Sequence, residues 1–390
     1  MSFNFDQSID RNGSGALKYD GRQTMFGTED VQPLWVADMD FAAPPAVTQA
    51  LQARAAHPVY GYTLVPESVT ESLIAWMQHR HGWRVEREWV LLVPGVVSSL
   101  NASVMAFTAL GDGVIVQPPV YFPFYSAVTK SGRTLVRNPL QLVNGRYEID
   151  FEHLEHCAAQ SRLLMLCSPH NPVGRVWKEE ELRRILDIAQ RHDLTILADE
   201  IHADLIYRDH HHRPLATLSD SLERIVTAVA PSKTFNIPGL GLSALIIPDA
   251  DRRAAISKVF DSLHMTASNP FSLVAFEAAY RHGEPWLESL LDYLQATRDQ
   301  VSDFAAQHLS PIRLIPAEGT YLLWLDCRAL HMTDAQLERF FIEEAGLGLS
   351  PGRAFGPEGS GFMRLNIGAP RAAILSGLER LAAAISRITP

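Results

Sequence analysis

Short apolar runs alternate with amphipathic segments through the middle of the chain, from about residue 90 to residue 248. The runs are rich in valine, isoleucine and leucine, which is typical of strands buried on both faces of a parallel sheet. Segments with a helical spacing of apolar positions, such as 179–192, lie between several of them. The alternation predicts an α/β fold in which helices cover both faces of a mainly parallel, doubly wound sheet. The predicted strands are 90–93, 113–117, 163–167, 195–198, 225–228 and 243–247.

The pattern changes after residue 270. Helical periodicity continues from 271 to 308, and two segments with alternating polarity, 320–325 and 362–367, then predict strands. We expect this C-terminal part to form, together with the N-terminal segment, a smaller α+β domain that closes over a cleft. The predicted limits are 46–279 for the large domain, and 1–45 plus 280–390 for the small domain.

Composition and charge narrow the classes of partner. The chain has 390 residues and 47% hydrophobic content, so it can bury a large core. Its net charge of −10 argues against nonspecific nucleic-acid binding, which needs clustered Lys and Arg. The first ten residues lack the basic start and apolar centre of a signal peptide, and no stretch approaches the roughly 20 apolar residues of a spanning helix. We therefore expect a cytoplasmic protein that binds neither nucleic acid nor membrane.

Cysteine and histidine positions do not indicate a metal site. Cys157, Cys167 and Cys327 are spaced for neither a disulfide framework nor zinc, and we interpret them as reduced thiols. The run 209–213 contains three adjacent histidines, whose side chains point in different directions. It predicts a polar surface loop, and no metal is expected.

Lys233 lies in a run, 230–239, whose surroundings indicate a lysine that holds an aldehyde cofactor covalently. A lysine beside a serine is by itself far more often a solvated surface charge. Four motifs, taken in their order along the chain, favour the cofactor, because they supply the groups that pyridoxal phosphate needs. They are Ser-Pro-His-Asn-Pro-Val-Gly at 168–174, Ala-Asp-Glu-Ile-His at 198–202, Lys233 itself, and Arg-Leu-Asn-Ile-Gly at 364–368.

Asp199 directly follows a predicted strand, and ligands of open α/β sheets bind at the carboxyl ends of strands. Pyridoxal phosphate acts as an electron sink while its ring nitrogen is protonated, and a buried carboxylate beside that nitrogen favours the charged form. Lys233 would bind the cofactor first and, once the substrate amine has displaced it, act as the base that moves the α-proton. Its amine must then be neutral, which burial favours. A purely structural lysine is the alternative.

The phosphate requires hydrogen-bond donors. A strand, a glycine turn and a helix beginning near Val97 follow one another at 89–99. The amides of Gly95, Val96 and Val97 would then point at the phosphate from a helix N-terminus. A single glycine between a strand and a helix is more often only a connection, so this prediction depends on its place in the series.

Three further side chains would complete the pocket. Asn171 can donate a hydrogen bond to the ring hydroxyl oxygen, and Tyr121 can stack on the ring face. Arg364, in a strand-like run, can bind a substrate α-carboxylate through two parallel hydrogen bonds. Each has a structural alternative, since Asn-Pro is a common turn starter, an aromatic among prolines often only packs, and a strand arginine can form a structural salt bridge.

Together these motifs resemble the fold-type I pyridoxal phosphate enzymes of the class I/II aminotransferase superfamily, and within it the MalY/PatB-type cystathionine β-lyases. The resemblance runs nearly end to end and implies an aminotransferase-like large domain. It rests most on Trp-Val-Ala-Asp-Met-Asp-Phe at 35–41, Tyr-Gly-Tyr at 60–62, 168–177, Asp-Glu-Ile-His-Ala-Asp-Leu at 199–205, Pro-Ser-Lys-Thr-Phe-Asn at 231–236, and 355–368.

Two positions differ from the wider aminotransferase pattern. Ala230 and Gly241 stand where many aminotransferases have a hydroxyl residue and an arginine on the phosphate. The resemblance therefore implies that Ser232, the amides near Gly95, and Tyr60 from the neighbouring subunit of a homodimer bind the phosphate.

His202 also differs, since aminotransferases tend to have a tyrosine there. The lyase-like subfamily has histidine, which would contact the ring hydroxyl or support Asp199. The resemblance further implies that Ala37, Asn171 and Arg364 contact the substrate, with Ala37 in a loop that shapes the pocket for its side chain.

The expected activity is β-elimination on a cysteine thioether such as L-cystathionine, which yields a thiol, pyruvate and ammonia. Lys233, Asp199 and Tyr121 are the predicted catalytic residues, and Tyr121 is one candidate for the group that protonates the departing sulfur. Aminotransferase activity is the first alternative, because removal of the α-proton is common to both reactions. A lyase with an additional protein-binding regulatory role is the second.

Overall fold

The computed structural model describes residues 3–388, in which helices and strands alternate as the hydrophobic pattern predicts. The helices are α1 Leu17–Asp20, α2 Arg22–Phe26, α3 Pro45–Ala56, α4 Glu67–His81, α5 Val96–Phe107, α6 Pro123–Thr129, α7 Phe151–Ala158, α8 Glu179–Arg191, α9 Pro231–Thr234, α10 Ala250–Ser262, α11 Pro270–His282, α12 Glu284–His308, α13 Asp334–Arg339 and α14 Arg371–Ile388. The strands are β1 Gln32–Pro33, β2 Val90–Val93, β3 Gly113–Val116, β4 Thr134–Arg137, β5 Gln141–Val143, β6 Arg146–Glu148, β7 Ser161–Cys167, β8 Thr195–Asp199, β9 Ile225–Val229, β10 Ser243–Ile246, β11 Arg313–Ile315, β12 Leu322–Asp326, β13 Leu347–Gly348, β14 Ser350–Pro351 and β15 Phe362–Asn366.

The central sheet has seven strands in the order β2-β10-β9-β8-β7-β3-β4. Strand β10 is antiparallel to both neighbours, and the other pairs are parallel. Side chains alternate between two cores: Val114 and Leu197 face one, with α5, α6 and α10, while Ile115 and Ile196 face the other, with α8. Burying each such side chain stabilises the fold by about 1.5–3 kcal/mol, so both faces require helices. The predicted mainly parallel, doubly wound α/β fold is confirmed.

Helix α8 illustrates why these segments are helical. Leu182, Ile185 and Ile188 recur at helical spacing and are buried against the sheet. Its first turn carries acidic residues at 179–181, where the helix dipole favours negative charge. The Glu181 carboxylate accepts the Lys178 N–H at 2.8 Å, which satisfies one amide ahead of the first turn.

A second, smaller sheet lies in the C-terminal part, in the antiparallel order β11-β12-β15-β14. The N-terminal segment joins this part of the chain, because β1 pairs in parallel with β13. The arrangement agrees with an α+β unit assembled from both ends of the chain. The limits of the two domains stay a prediction.

Most predicted strands agree with the observed ones to within two residues, and two predicted elements differ in a way that has a structural reason. The helical stretch 271–308 is two helices, α11 and α12, separated at Gly283, where a Cβ atom would lie 2.4 Å from the Phe235 ring and 2.5 Å from the Ala279 carbonyl. The strand predicted at 320–325 begins only at Leu322, because Thr320 adopts φ 68, a left-handed conformation that does not continue a strand.

The histidine run departs from the predicted surface loop at one position. His210 and His211 are exposed, but His212 is buried and its Nε2 lies 3.4 Å from the Glu200 carboxylate. A buried partner for one imidazole could not be read from the local sequence. Within 3–388, no helix has the length and apolar character that crossing a membrane requires.

Candidate active site

A cavity of about 300 Å³ lies at the carboxyl ends of β7 and β8, next to the starts of α5 and α9. This is the edge of the sheet where parallel strands direct their following loops toward a ligand. A larger groove, about 800 Å³, is lined by residues of α12 and of 310–318, and neither Lys233 nor Asp199 lines it. The smaller cavity therefore holds the candidate chemistry, and most of the predicted site residues line it.

Lys233 projects into this cavity from α9, the single turn that follows β9. Its Nζ donates a hydrogen bond of 2.6 Å to the carbonyl of Ala37. Burial, and after it the charge of Arg364, lower the pKa of Lys233 to about 8, against smaller raising effects of Asp38 and Asp199. The amine is thus partly neutral near neutral pH, as a nucleophile and base requires.

Asp199 is the last residue of β8 and is buried. Its Oδ1 accepts the N–H of Ile201 at 3.2 Å. Burial raises the pKa of Asp199 to about 7, although the Ile201 hydrogen bond and the charge of Lys233 act in the opposite direction. A nearby cation stabilises the ionised form of a buried carboxylate, and a protonated ring nitrogen is such a cation.

The N-terminus of α5 forms one end of the cavity, the end that the sequence predicts to bind the phosphate. The helix begins at Val96, and the N–H groups of Val96, Val97 and Ser98 precede its first intrahelical bond, from Ser99 to Gly95. These amides are free donors beside the positive end of the helix dipole. The Gly95 amide, which was predicted to point at the phosphate, instead donates to the Val93 carbonyl at 2.8 Å. Its φ of 94 makes the turn into the helix, a conformation that glycine adopts without strain.

Arg364 lies on β15 and is buried beside Asn171. Its Nη1 donates to Asn171 Oδ1 at 3.1 Å, and its Nη2 donates to the Trp35 carbonyl at 2.7 Å. The Arg364 Nε is buried without a partner among residues 3–388. Since Asn171 Oδ1 accepts from Arg364, the Asn171 amide nitrogen is left as a donor toward the cavity. Both side chains therefore keep free N–H groups for an anionic or polar ligand.

Tyr121 and His202 also line the cavity. Burial raises the pKa of the Tyr121 hydroxyl, so this group is a proton donor at neutral pH. Burial, and then the charges of Lys233 and Arg364, lower the pKa of His202 to about 3. The His202 ring is therefore neutral, and its buried Nδ1 has no partner in the described part of the chain. Both groups agree with contacts to a polar aromatic ligand.

Two predicted site residues do not line the cavity: Arg364 lies behind Asn171, and Tyr60 lies at the surface of its own chain. The Tyr60 side chain is 58% exposed, and its hydroxyl donates to the Ala55 carbonyl at 3.0 Å. Ser232 and Ala37, by contrast, line the cavity as expected.

Several lining residues were missed at the level of the sequence. Ser98 and Ser243 line the phosphate end, and Cys167 lies opposite Asp199 in the β7–β8 pairing. Ser98 follows Val97 directly, so the helix-start argument could have included it. Tyr321 donates its hydroxyl to the Ala37 carbonyl at 2.8 Å, a contact that carries no local sequence signal.

The residues around the cavity fit pyridoxal phosphate. A lysine amine can bind its aldehyde, Asp199 can face the ring nitrogen, and the α5 amides can bind the phosphate. The buried Nδ1 of His202 and Nε of Arg364 require polar partners that residues 3–388 do not supply. Among residues 3–388 no group of three or more His, Cys, Asp or Glu side chains is placed to hold a metal ion.

Comparison with known proteins gives similarity over the whole chain. The profile of the family "Aminotransferase class I and II" matches residues 29–381. Cystathionine beta-lyase PatB of Bacillus subtilis is 43% identical, covering 98% of this chain and 100% of PatB, and Protein MalY of Escherichia coli is 31% identical, covering 99% and 100%. The crystal structure of cystalysin from Treponema denticola, which contains a pyridoxal 5'-phosphate cofactor, matches at 36% identity with a TM-score of 0.97 over 100% of both chains.

Proposed function

The chain belongs to the aminotransferase class I and II family, and from that membership we propose that it is a pyridoxal phosphate-dependent carbon-sulfur β-lyase. Its substrate is a cysteine thioether such as L-cystathionine, and its products are a thiol, pyruvate and ammonia. The observation that carries the proposal is the end-to-end similarity to a cystathionine beta-lyase, 43% identical over 98% of this chain. The cavity supports it, because the Lys233 amine and the Asp199 carboxylate line one space, and the Arg364 guanidinium bonds to Asn171 at its wall.

When bound, pyridoxal phosphate holds the substrate amine covalently and accepts the electron pair left on the α-carbon, so that a substituent on the β-carbon can leave. The Asp199 carboxylate would hold a positive charge on the ring nitrogen, and the amides of Val96, Val97 and Ser98 would bind the phosphate. Asn171 and His202 would orient the ring through its hydroxyl group.

The Nζ of Lys233 moves the α-proton of the substrate. Because the pKa of Lys233 is about 8, part of the lysine is neutral near neutral pH. Arg364 binds the α-carboxylate with its free Nε and so orients the Cα–H bond toward the lysine. The Tyr121 hydroxyl, whose pKa is raised, is protonated at neutral pH and donates to the departing sulfur.

Tyr60 completes the phosphate site from a second copy of the chain in a homodimer. In support, the segment around it exposes apolar side chains, with Val59 at 65%, Leu64 at 90% and Tyr62 fully exposed. Surfaces of this kind are typical of protein interfaces. We also place the enzyme in the cytoplasm, in keeping with three buried thiols that form no disulfide.

An assay of the purified enzyme tests the activity. With L-cystathionine and no added keto acid, we expect free thiol and pyruvate in equal amounts. Lys233→Ala should lose at least about 10³-fold in rate, because both covalent binding and proton transfer depend on that amine. Turnover that requires a keto acid would instead make the protein an aminotransferase. No thiol from any of several cysteine thioethers would reject the lyase.

A further inference from the structure

The segment 35–41 lines the cavity through Ala37, beside Lys233, and its backbone accepts hydrogen bonds from the buried Arg364 and Asn366. Carbonyl groups of four consecutive residues, from Trp35 to Asp38, accept hydrogen bonds. The donors are Arg364 to Trp35 at 2.7 Å, Asn366 to Val36 at 2.6 Å and to Asp38 at 2.7 Å, and Lys233 to Ala37 at 2.6 Å. The position of the Lys233 amine in this structure therefore depends on the path of a segment far away in the sequence.

Four charged side chains from two parts of the chain fasten this segment. Arg11 binds the Asp38 carboxylate with both terminal nitrogens, at 3.0 and 2.8 Å, and its Nη1 also contacts Asp40 at 2.7 Å. Lys18, which is fully buried, donates to Asp40 at 2.9 Å. Two carboxylates are thus balanced by two cations. The geometry of Arg11 with Asp38 is the bidentate pairing that is strongest for this pair of groups.

Asp38 acts on the Lys233 amine as well as on Arg11. The charges that act on Lys233 are those of Arg364, Asp38 and Asp199, and its amine bonds to the carbonyl of the residue before Asp38. The cavity also contains the uncharged Tyr121 and His202, and Tyr321 bonds to the same carbonyl. Asp38 itself faces Arg11 and Lys18.

We propose that Arg11 and Asp38 are positioning residues for Lys233: Arg11 holds Asp38 in place, and Asp38 fixes the peptide and the charge beside the lysine amine. The N-terminal segment is then part of the active site, although none of its residues before position 35 lines the cavity. The inference rests on the proposed function in one respect, namely that Lys233 is the residue that binds the cofactor.

The test measures the uptake of pyridoxal 5'-phosphate by the full-length, cofactor-free protein as a function of pH, followed by absorbance. Uptake needs the neutral amine, since its lone pair attacks the aldehyde carbon and water is lost, so the rate rises with pH through the pKa of Lys233. Asp38→Asn removes a charge that raises this pKa and should move the curve to lower pH. Arg11→Gln leaves Lys18, at 3.8 Å, to balance the Asp38 charge and should move the curve to higher pH. We expect shifts on the order of half a pH unit.

Two variants serve as controls. Asp40→Asn disturbs the same ion cluster but removes no charge that acts on Lys233, so its curve should coincide with that of the wild type. Arg11→Lys keeps the positive charge and should bring the curve back toward the wild type, with a smaller recovery of thermal stability because the bidentate contact is lost. Thermal unfolding of each variant shows whether it is folded.

Shifts in opposite directions for Asp38→Asn and Arg11→Gln establish the role, because loosening of the structure would not reverse its sign between them. The proposal is overturned if Asp38→Asn, Arg11→Gln and Asp40→Asn all shift the curve equally, or if none of them shifts it. If Arg11→Gln does not fold, the comparison of the isosteric variants Asp38→Asn and Asp40→Asn decides, because only Asp38→Asn should shift the uptake curve. A wild-type chain that takes up no pyridoxal phosphate rejects the proposed function, and this inference with it.

Discussion

Lys233 and Asp199 line the same cavity, and the pKa of each is shifted from its usual value. Burial lowers the pKa of Lys233 to about 8 and raises that of Asp199 to about 7. The two groups are thus less well stabilised as ions than they would be in water. A cofactor that supplies a cationic nitrogen to Asp199 relieves this cost, which gives the site both its affinity and its reactivity.

Asp199→Asn should therefore stabilise the cofactor-free protein at pH 8 while weakening its hold on pyridoxal phosphate. The folded pKa of Asp199 is raised, so its contribution to stability is present below the unfolded pKa near 4 and is lost as pH rises to about 7. The unfolding free energy of Asp199→Asn should therefore exceed that of the wild type by an amount that grows between pH 4 and 7. Above pH 7 the difference should stay constant, on the order of 2 kcal/mol or more. Urea unfolding at pH 4.5 and 8 checks this; a gain that is equal at both values contradicts it.

At the scale of elements, the segment that leads into β12 is joined to the turn after β7 and to β6 by an ion cluster around the buried Glu318. Glu318 accepts from Arg175 at 3.0 Å, from Arg146 at 2.9 Å and from the N–H of Val176 at 2.8 Å. Burial alone would raise the pKa of Glu318, but the two arginines hold it below its usual value. The cluster ties the turn that carries Asn171 to the C-terminal part of the chain, because Arg175 also pairs with His170 in a β-bridge.

Glu318→Gln should cost about 2–4 kcal/mol of unfolding free energy, because it leaves the buried Arg175 with less compensation. Since the turn at Asn171 loses its anchor, KM for the thioether should rise more than kcat falls. The measurements are urea unfolding and steady-state kinetics. As a matched control, Glu179→Gln breaks an exposed ion pair with Arg183 and should change neither quantity. Equal effects of both substitutions would contradict the role of burial.

At the scale of the whole molecule, the surface around 59–65 stands out by its exposed apolar and aromatic side chains. Within one chain the Tyr60 ring lies against Phe271, at 5.7 Å between centroids, and under Arg54, at 5.6 Å. The proposed phosphate site has glycine, not arginine, at position 241 and so lacks that cation for a dianion. A tyrosine from a second copy would supply a missing donor.

Tyr60→Phe should weaken cofactor retention by roughly 10-fold, the value of one hydrogen bond to a charged group, and leave the dimer intact. Equilibrium dialysis of pyridoxal phosphate and light scattering provide the two readouts. Tyr62→Phe, at a neighbouring exposed position, is the control and should change neither. If the protein is a monomer that retains its cofactor equally well with either substitution, the shared site is wrong.

The sequence by itself determined the class of fold and the main chemical groups. The alternation of apolar runs is a local property of side chains, so it predicts β8, β9 and the helices between strands without knowledge of their packing. Lys233, Asp199, Asn171 and Arg364 were predicted from short motifs in their order along the chain, which are local as well. The resemblance to a family added Tyr60 and His202, which no periodicity indicates.

Only the tertiary structure decided which groups meet. Lys233 and Ala37 are 196 positions apart and Arg364 and Asn171 are 193 apart, yet each pair is joined by a hydrogen bond. The burial of His212 and the attachment of Arg11 to the segment beside Lys233 also depend on packing. The physical reason is range: periodicity and turn preferences act over a few residues, whereas the burial and charge that set reactivity arise from contacts between distant parts of the chain.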